Sequence, residues 1–196
     1  MWNPISRPLV LLVLMTFSPL LFAQTDEAPG PAISEIHQLY IADQEDRRAE
    51  KIDWSKVGPR DSERRNRAHE LLAEGKLTAA RDFHDAAFIF QHGEKPDDFL
   101  LAHVLAVAAV AKGDASSQWI AAATLDRYLQ NIKQSQIFGT QYFKVGDKPW
   151  TQEPYDRELM PDSLRKVLGV PILVEQQKKL DEVLNNPQAS QAPRKN

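Results

Sequence analysis

Phe99 to Ala111 reads FLLAHVLAVAAVA, and this stretch decides the fold. Twelve of its 13 residues are apolar, and His103 is the exception. A helix that is apolar all round belongs at the centre of a core. Thirteen residues are too few for a membrane span, which needs about 20. Pro96-Asp97-Asp98 opens the helix, with a proline in the first turn and carboxylates at its positive dipole end. Lys112-Gly113-Asp114 closes it.

Outward from this centre the chain reads as further helices. On the N-terminal side, Thr78 to Gln91 carries the stripe Ala79, Ala80, Phe83, Ala86, Ala87 and Phe90, and His92-Gly93 ends it. Before it, Asp61 to Glu74 forms a helix stopped by Gly75, while Trp54 and Pro59 sit in a connecting loop. Arg60, Arg64, Arg65 and Arg67 alternate with Asp61, Glu63 and Glu70, the pattern of a solvated face. The first helix starts at Ser34, a capping residue, with Ile36, Leu39 and Tyr40 on one side.

On the C-terminal side, Ser116 to Lys133 is helical, with Ala121, Leu125, Tyr128, Leu129 and Ile132 as its stripe. Gln136 to Tyr155 then turns aromatic and β-branched, which predicts a small β-hairpin or an ordered loop. A short helix over Pro161–Leu168, stopped by Gly169, and an amphipathic one over Val174–Leu184 complete the domain. The expected fold is mainly α: antiparallel helical hairpins packed as a bundle or a short solenoid. Helices 61–74 and 78–91 form one hairpin, 97–111 and 116–133 the other. Their spacing of about 36 residues is similar to tetratricopeptide repeats, whose signature residues are missing.

The ends point to export. Arg7 precedes an apolar run from Leu9 to Phe22, and Ala23 offers a cleavage residue before Gln24. Residues 1–23 are therefore expected to be a signal peptide, although Leu21 is a poor residue at position −3 and an uncleaved anchor is the alternative. Residues 24–32 read as a linker, 33–186 as a single helical domain and 187–196 as a disordered tail. Such a product is periplasmic or secreted, with no stable membrane insertion after signal removal.

The 24 basic and 27 acidic side chains give a net charge of −3, so nothing marks a nucleic-acid surface. With no Cys there is no thiol nucleophile, disulfide or Cys-type zinc site. HExxH, Gly-x-Ser-x-Gly and phosphate-loop motifs are also missing, and no metal or cofactor is implied.

Polar residues inside apolar elements are the candidates for function. His103 needs a partner or a cleft, because an unpartnered buried polar group costs about 1–3 kcal/mol. His84, Phe88 and Gln91 share one flank of their helix, Asp85 and His92 another. Trp119 and Asp126 line up beside the stripe of the 116–133 helix. One packing would gather His84, Gln91, His103 and Asp126 into a pocket, and another would use them as braces.

Several segments together resemble a bacterial family defined only as a domain of unknown function. They are Asp43-Gln44 with Arg47, the run Asp82–Ala87 leading to Phe90-Gln91-His92-Gly93, and Leu101-Ala102-His103. Trp119–Ala123 with Asp126-Arg127-Tyr128-Leu129, Phe138-Gly139-Thr140-Gln141 and Leu168-Gly169-Val170-Pro171 complete the set. The resemblance implies a helical domain and no particular reaction. It draws attention to Asp43, Gln44, Arg47, Gln91, His92, His103, Asp126, Thr140 and Gln141.

Two functions compete. The first is a binding or protein-interaction module of the cell envelope, with a peptide or protein partner held in a groove near Trp119, Tyr142 and Trp150. The alternative is an envelope hydrolase-like enzyme, with His92 or His103 as general base and Asp126 or Asp43 orienting it.

Overall fold

The structure, a computed structural model, describes residues 33–185. The signal, linker and tail expected at 1–23, 24–32 and 187–196 lie outside them. The described residues form seven helices: α1 (Glu35–Asp46), α2 (Trp54–Ala73), α3 (Ala80–Phe90), α4 (Pro96–Ala111), α5 (Ser117–Asn131), α6 (Asp162–Val167) and α7 (Leu173–Asn185). None is long and apolar enough to cross a membrane.

Caps explain most boundaries. Asp82, in the first turn of α3, accepts the amides of Thr78 and Ala79 at 2.9 and 2.8 Å. Ser34 stands at the start of α1 but donates its hydroxyl to Asp82 at 2.9 Å, so one carboxylate starts α3 and anchors α1 to it. Gly75 takes φ +67° and closes α2, with Lys76 N–H donating to the Leu71 carbonyl. The start of α2 differs from expectation. Asp53 caps the helix through the amide of Ser55, so Trp54 and Pro59 belong to its first two turns rather than to a loop.

Helix α4 packs most extensively against α5 and α3, and α1 lies on α3. The hairpins are therefore less separate than the sequence suggests, because α3 is shared. The core joins Ile36, Leu71, Ala86, Ala87, Phe90, Ala102, Leu105, Ala106 and Ile120. Alanines supply the α3–α4–α5 seams and bring the helices close together. Full burial of one side chain such as Phe90 contributes about 1.5–3 kcal/mol.

Two expectations about burial need correction. Only one side of α4 is sealed, by Phe99, Ala102, Leu105, Ala106 and Ala109. Val104 is 53% exposed and Val107 47%, so the most apolar segment of the domain shows an apolar face to solvent. On α5 the buried face is Ile120, Ala121, Ala122, Ala123, Thr124 and Asp126, while Ile132 is exposed. It lies to one side of the expected stripe, because α4 and the following loop cover α5 from different directions.

Residues 132–161 form an ordered loop. Phe143 and Thr151 exchange both main-chain hydrogen bonds, at 3.0 and 2.9 Å, but this is an isolated bridge rather than a β-hairpin. Polar side chains replace a strand ladder. The carboxylate of Asp126 accepts the amides of Ile137, Phe138 and Thr140 and the Thr140 hydroxyl, all at 2.8–3.0 Å. Gln136 donates to the carbonyls of Gln141 and Gln152, and Arg165 donates to those of Met160 and Phe138. Gly139 at φ +73° is required here. A Cβ on it would lie 2.1 Å from Gln176 Oε1 and 2.5 Å from the Tyr155 ring.

Candidate functional site

The candidate site is a polar network where α1, α2, the end of α3 and α5 meet. Helix α1 places Asp43, Asp46 and Arg47 one turn apart, and its contact with α3 buries Asp43 to 1% exposure. Arg47 donates to Asp43 Oδ1 at 2.9 Å and to Asp61 Oδ2 at 2.6 Å. Arg64 bridges Asp61 at 2.8 Å and Asp46 at 2.7 Å, and Arg60 joins Asp46 at 2.8 Å. Gln44 donates to Asp43 Oδ2 at 2.8 Å. Desolvation offsets much of the attraction in such buried pairs, so the network fixes geometry more than it adds stability.

His92 enters this network from the turn after α3. Gly93 makes that turn possible, since a Cβ there would meet Asp98 Cβ at 2.2 Å. Asp98 in turn accepts the amides of Glu94 and Lys95. The imidazole meets Asp43 Oδ1 through Nδ1 at 3.0 Å. An ionised carboxylate only accepts, so Nδ1 carries the hydrogen and Nε2 keeps its lone pair. Nε2 has no hydrogen-bond partner among the described residues, and the side chain keeps 17% of its surface exposed.

The electrostatics favour a neutral ring. Burial holds His92 below its ordinary value of about 6.5, and the charges of Arg47 and Arg127 push the same way. Hydrogen bonding to Asp43 opposes them without winning. At neutral pH the His92 ring is neutral and held by Asp43.

Two more guanidiniums frame it. Arg65 on α2 donates to the His92 carbonyl at 2.8 Å, and Arg127 on α5 donates to the Gln91 carbonyl at 2.9 Å. Arg127 also donates to Gln141 Oε1 at 3.0 Å, which ties the ordered loop to the His92 turn.

The structure thus brings together Asp43, Gln44, Arg47, Gln91, His92 and Gln141. It separates the others. Asp126 and Thr140 form the loop latch described above, and all of the Asp126 acceptors face that loop. His103 donates from Nδ1 to the Ala121 carbonyl at 2.9 Å, away from any carboxylate. His84 lies between Ser117 at 2.8 Å and Asp114 at 3.2 Å. Trp119 is half-buried against the main core. The single pocket of His84, Gln91, His103 and Asp126 does not form, because these residues sit on different sides of α3, α4 and α5.

Sequence reasoning missed several members. Arg64 and Arg65 read as a solvated face, but the side chain of Arg64 is only 7% exposed and Arg65 reaches the His92 carbonyl. A signal existed in the Asp61/Arg64 spacing of one helical turn. The pairing with Asp46, 18 residues away, has no local signature. A second His–carboxylate pair was also missed: His37 Nδ1 meets the fully buried Asp85 at 2.7 Å. Burial raises the Asp85 pKa, with the hydrogen bond and charge of His37 opposing.

One cavity of about 180 Å³ lies between α4, α5 and the 138 and 168 segments. It is lined by His103, Val107, Val110, Ala121, Phe138 and Leu168, among others. Another of about 330 Å³ is lined by Gln130, Lys133, Phe143, Glu153 and Pro154. Trp119, Tyr142 and Trp150 line neither of them. Among the described residues no three His, Cys, Asp or Glu side chains are grouped to hold a metal ion.

No family model, no curated protein and no solved structure matches the chain.

Proposed function

We propose that this chain is an exported hydrolase-like enzyme in which His92 is the general base and Asp43 orients it. The observation that carries the reading is the 3.0 Å contact from Nδ1 of a partly exposed imidazole to a buried carboxylate, with no hydrogen bond to Nε2 among the described residues. A base of this kind is effective when its pKa lies near or below the working pH and its free nitrogen faces the reacting atom. Nε2 takes a proton from water as the water oxygen adds to the electrophilic centre. The proton then goes to the leaving group, which departs with the bonding electron pair. Arg47 and Gln44 hold Asp43 in place and do not touch substrate. Purified residues 24–196, screened against chromogenic carboxylic and phosphoric esters, test this directly. Turnover lost in His92→Gln but kept in His103→Gln supports it; a His92→Gln protein that retains full activity ends it.

A second reading, a binding module, has one observation in its favour. The exposed apolar face of α4, with Val104 and Val107, borders the 180 Å³ cavity beside His103. This surface would hold an apolar segment of a partner protein. Val107→Lys should then abolish partner binding and leave turnover intact.

A further inference from the structure

We propose that the cavity of about 330 Å³ at the end of α5 binds a small organic carboxylate with an aromatic body, held by Lys133 and Phe143. Its volume falls within the range of small-ligand clefts. The cavity shares no lining residue with the His92 network, so this site goes beyond the reading of His92 as a base.

The residue at position 133 carries the inference. Four helices end in the same pair of main-chain hydrogen bonds. Gly75 and Lys76 close α2 on the carbonyls of Leu72 and Leu71, and Gly113 and Asp114 close α4 on those of Val110 and Ala109. Gly169 and Val170 close α6 on Lys166 and Arg165, and Lys133 and Gln134 close α5 on Gln130 and Leu129. This motif puts its first residue beyond the cap in left-handed backbone, where a Cβ is disfavoured and glycine is the usual occupant. Gly75, Gly113 and Gly169 take φ of +67°, +98° and +65°. Lys133 takes +63° and is the one non-glycine residue at positive φ among the described residues. The backbone therefore favours glycine at 133, and the lysine side chain serves something else. A lysine suits the negative end of a helix, but one inside the last turn would do so without left-handed backbone.

The cavity supplies that role. Among the described residues no carboxylate pairs with the Lys133 ammonium. Glu153, the acid in the same lining, is engaged by the Arg157 guanidinium and by the Tyr155 amide at 3.0 Å. Gln130 also lines the cavity, and its Nε2 is sealed from solvent and meets no acceptor. A ligand oxygen reached by a turn of that amide gives it one. Phe143, fixed by its two main-chain bonds to Thr151, and Pro154 add apolar surface. A carboxylate matches the ammonium and the amide, and an aromatic ring matches Phe143 and Pro154.

The test titrates the purified protein, followed by amide proton–nitrogen spectra, with three probes: phenylacetate, phenylacetamide and acetate. Sodium chloride holds ionic strength constant. Phenylacetate should shift the amides of Gln130, Lys133 and Phe143 saturably, with the other two at least about tenfold weaker. Lys133→Gly should weaken phenylacetate about tenfold while raising the melting temperature, because it relieves the left-handed backbone. Lys133→Gln should weaken it equally without that gain, and Lys133→Arg should keep most of it. His92→Gln should bind phenylacetate unchanged. No saturable response to phenylacetate, or an equal one to phenylacetamide, overturns the carboxylate site. Undiminished binding in both Lys133→Gly and Lys133→Gln removes the lysine from it. A Lys133→Gly protein that melts lower than the parent shows that the lysine is kept for the fold, and the inference fails.

Discussion

Asp126 and Arg127 are neighbours on α5 that secure the same loop by opposite chemistry. Asp126 accepts the amides of Ile137, Phe138 and Thr140, while Arg127 donates to the side chain of Gln141 and carries the connection on to Gln91. The pair makes the loop after α5 part of the wall that positions His92. Asp126 is therefore a structural residue and not a partner of a catalytic histidine. Asp126→Ala leaves three amides, two of them buried, without acceptors and should cost about 3–5 kcal/mol. Asp126→Asn keeps one acceptor oxygen and should cost less. Urea unfolding of both variants measures this, and a loss below about 1 kcal/mol for the alanine variant would contradict it.

His92 gives the domain a pH dependence of known sign. Its folded value lies below the ordinary value of about 6.5 because it is buried, so as pH falls the unfolded chain binds this proton first. Its contribution to stability is present above about 6.5 and is lost as pH falls from there toward the lower folded value. The acidic limb of any turnover profile should likewise lie below 6.5. His92→Gln should flatten the stability profile over this window without unfolding the protein at pH 8.

Exposure divides α4 into two faces with different tolerance. Val104→Lys, on the open face, should change stability by no more than about 0.5 kcal/mol. Ala106→Leu, at a fully buried seam position, should cost about 1–3 kcal/mol through overpacking. Thermal unfolding of the two variants compares them, and a large loss from Val104→Lys would mean that α4 is enclosed on all sides after all.

Gly139→Ala combines a left-handed backbone with a clash against Gln176 and Tyr155. It should destabilise by about 1–3 kcal/mol and loosen the loop that Arg127 ties to the His92 turn. Hydrogen exchange at Thr140 and Gln141 should accelerate with it.

Local physics made most of the fold legible. The apolar run 99–111, the capping carboxylates and the stop glycines at 75 and 169 set helix limits through interactions within a few residues. What failed was one local competition and several features set by distant partners. Asp53 outweighed Pro59 at the start of α2, and apolar character alone could not say which side of α4 would be left uncovered. The stretch 136–155 read as a β-hairpin or an ordered loop, and the loop is what forms, because Asp126, Gln136 and Arg165 provide the hydrogen bonds a ladder would have given. At the site, Asp43, Gln44, Arg47 and His92 were visible as a set of candidates. Their connection through Asp61, Arg64 and Arg65 was not, because charges interleaved along one helix look solvated until a second helix covers them.

The most direct measurement is a long-range proton–nitrogen correlation spectrum of the histidine side chains of residues 24–196 at pH 7.5. The predicted result for His92 is a fixed tautomer, with hydrogen on Nδ1 and a bare Nε2, that is lost in Asp43→Asn. A ring protonated at Nε2, or one averaging freely between both forms in the unsubstituted protein, would contradict the assignment of His92 as an oriented base.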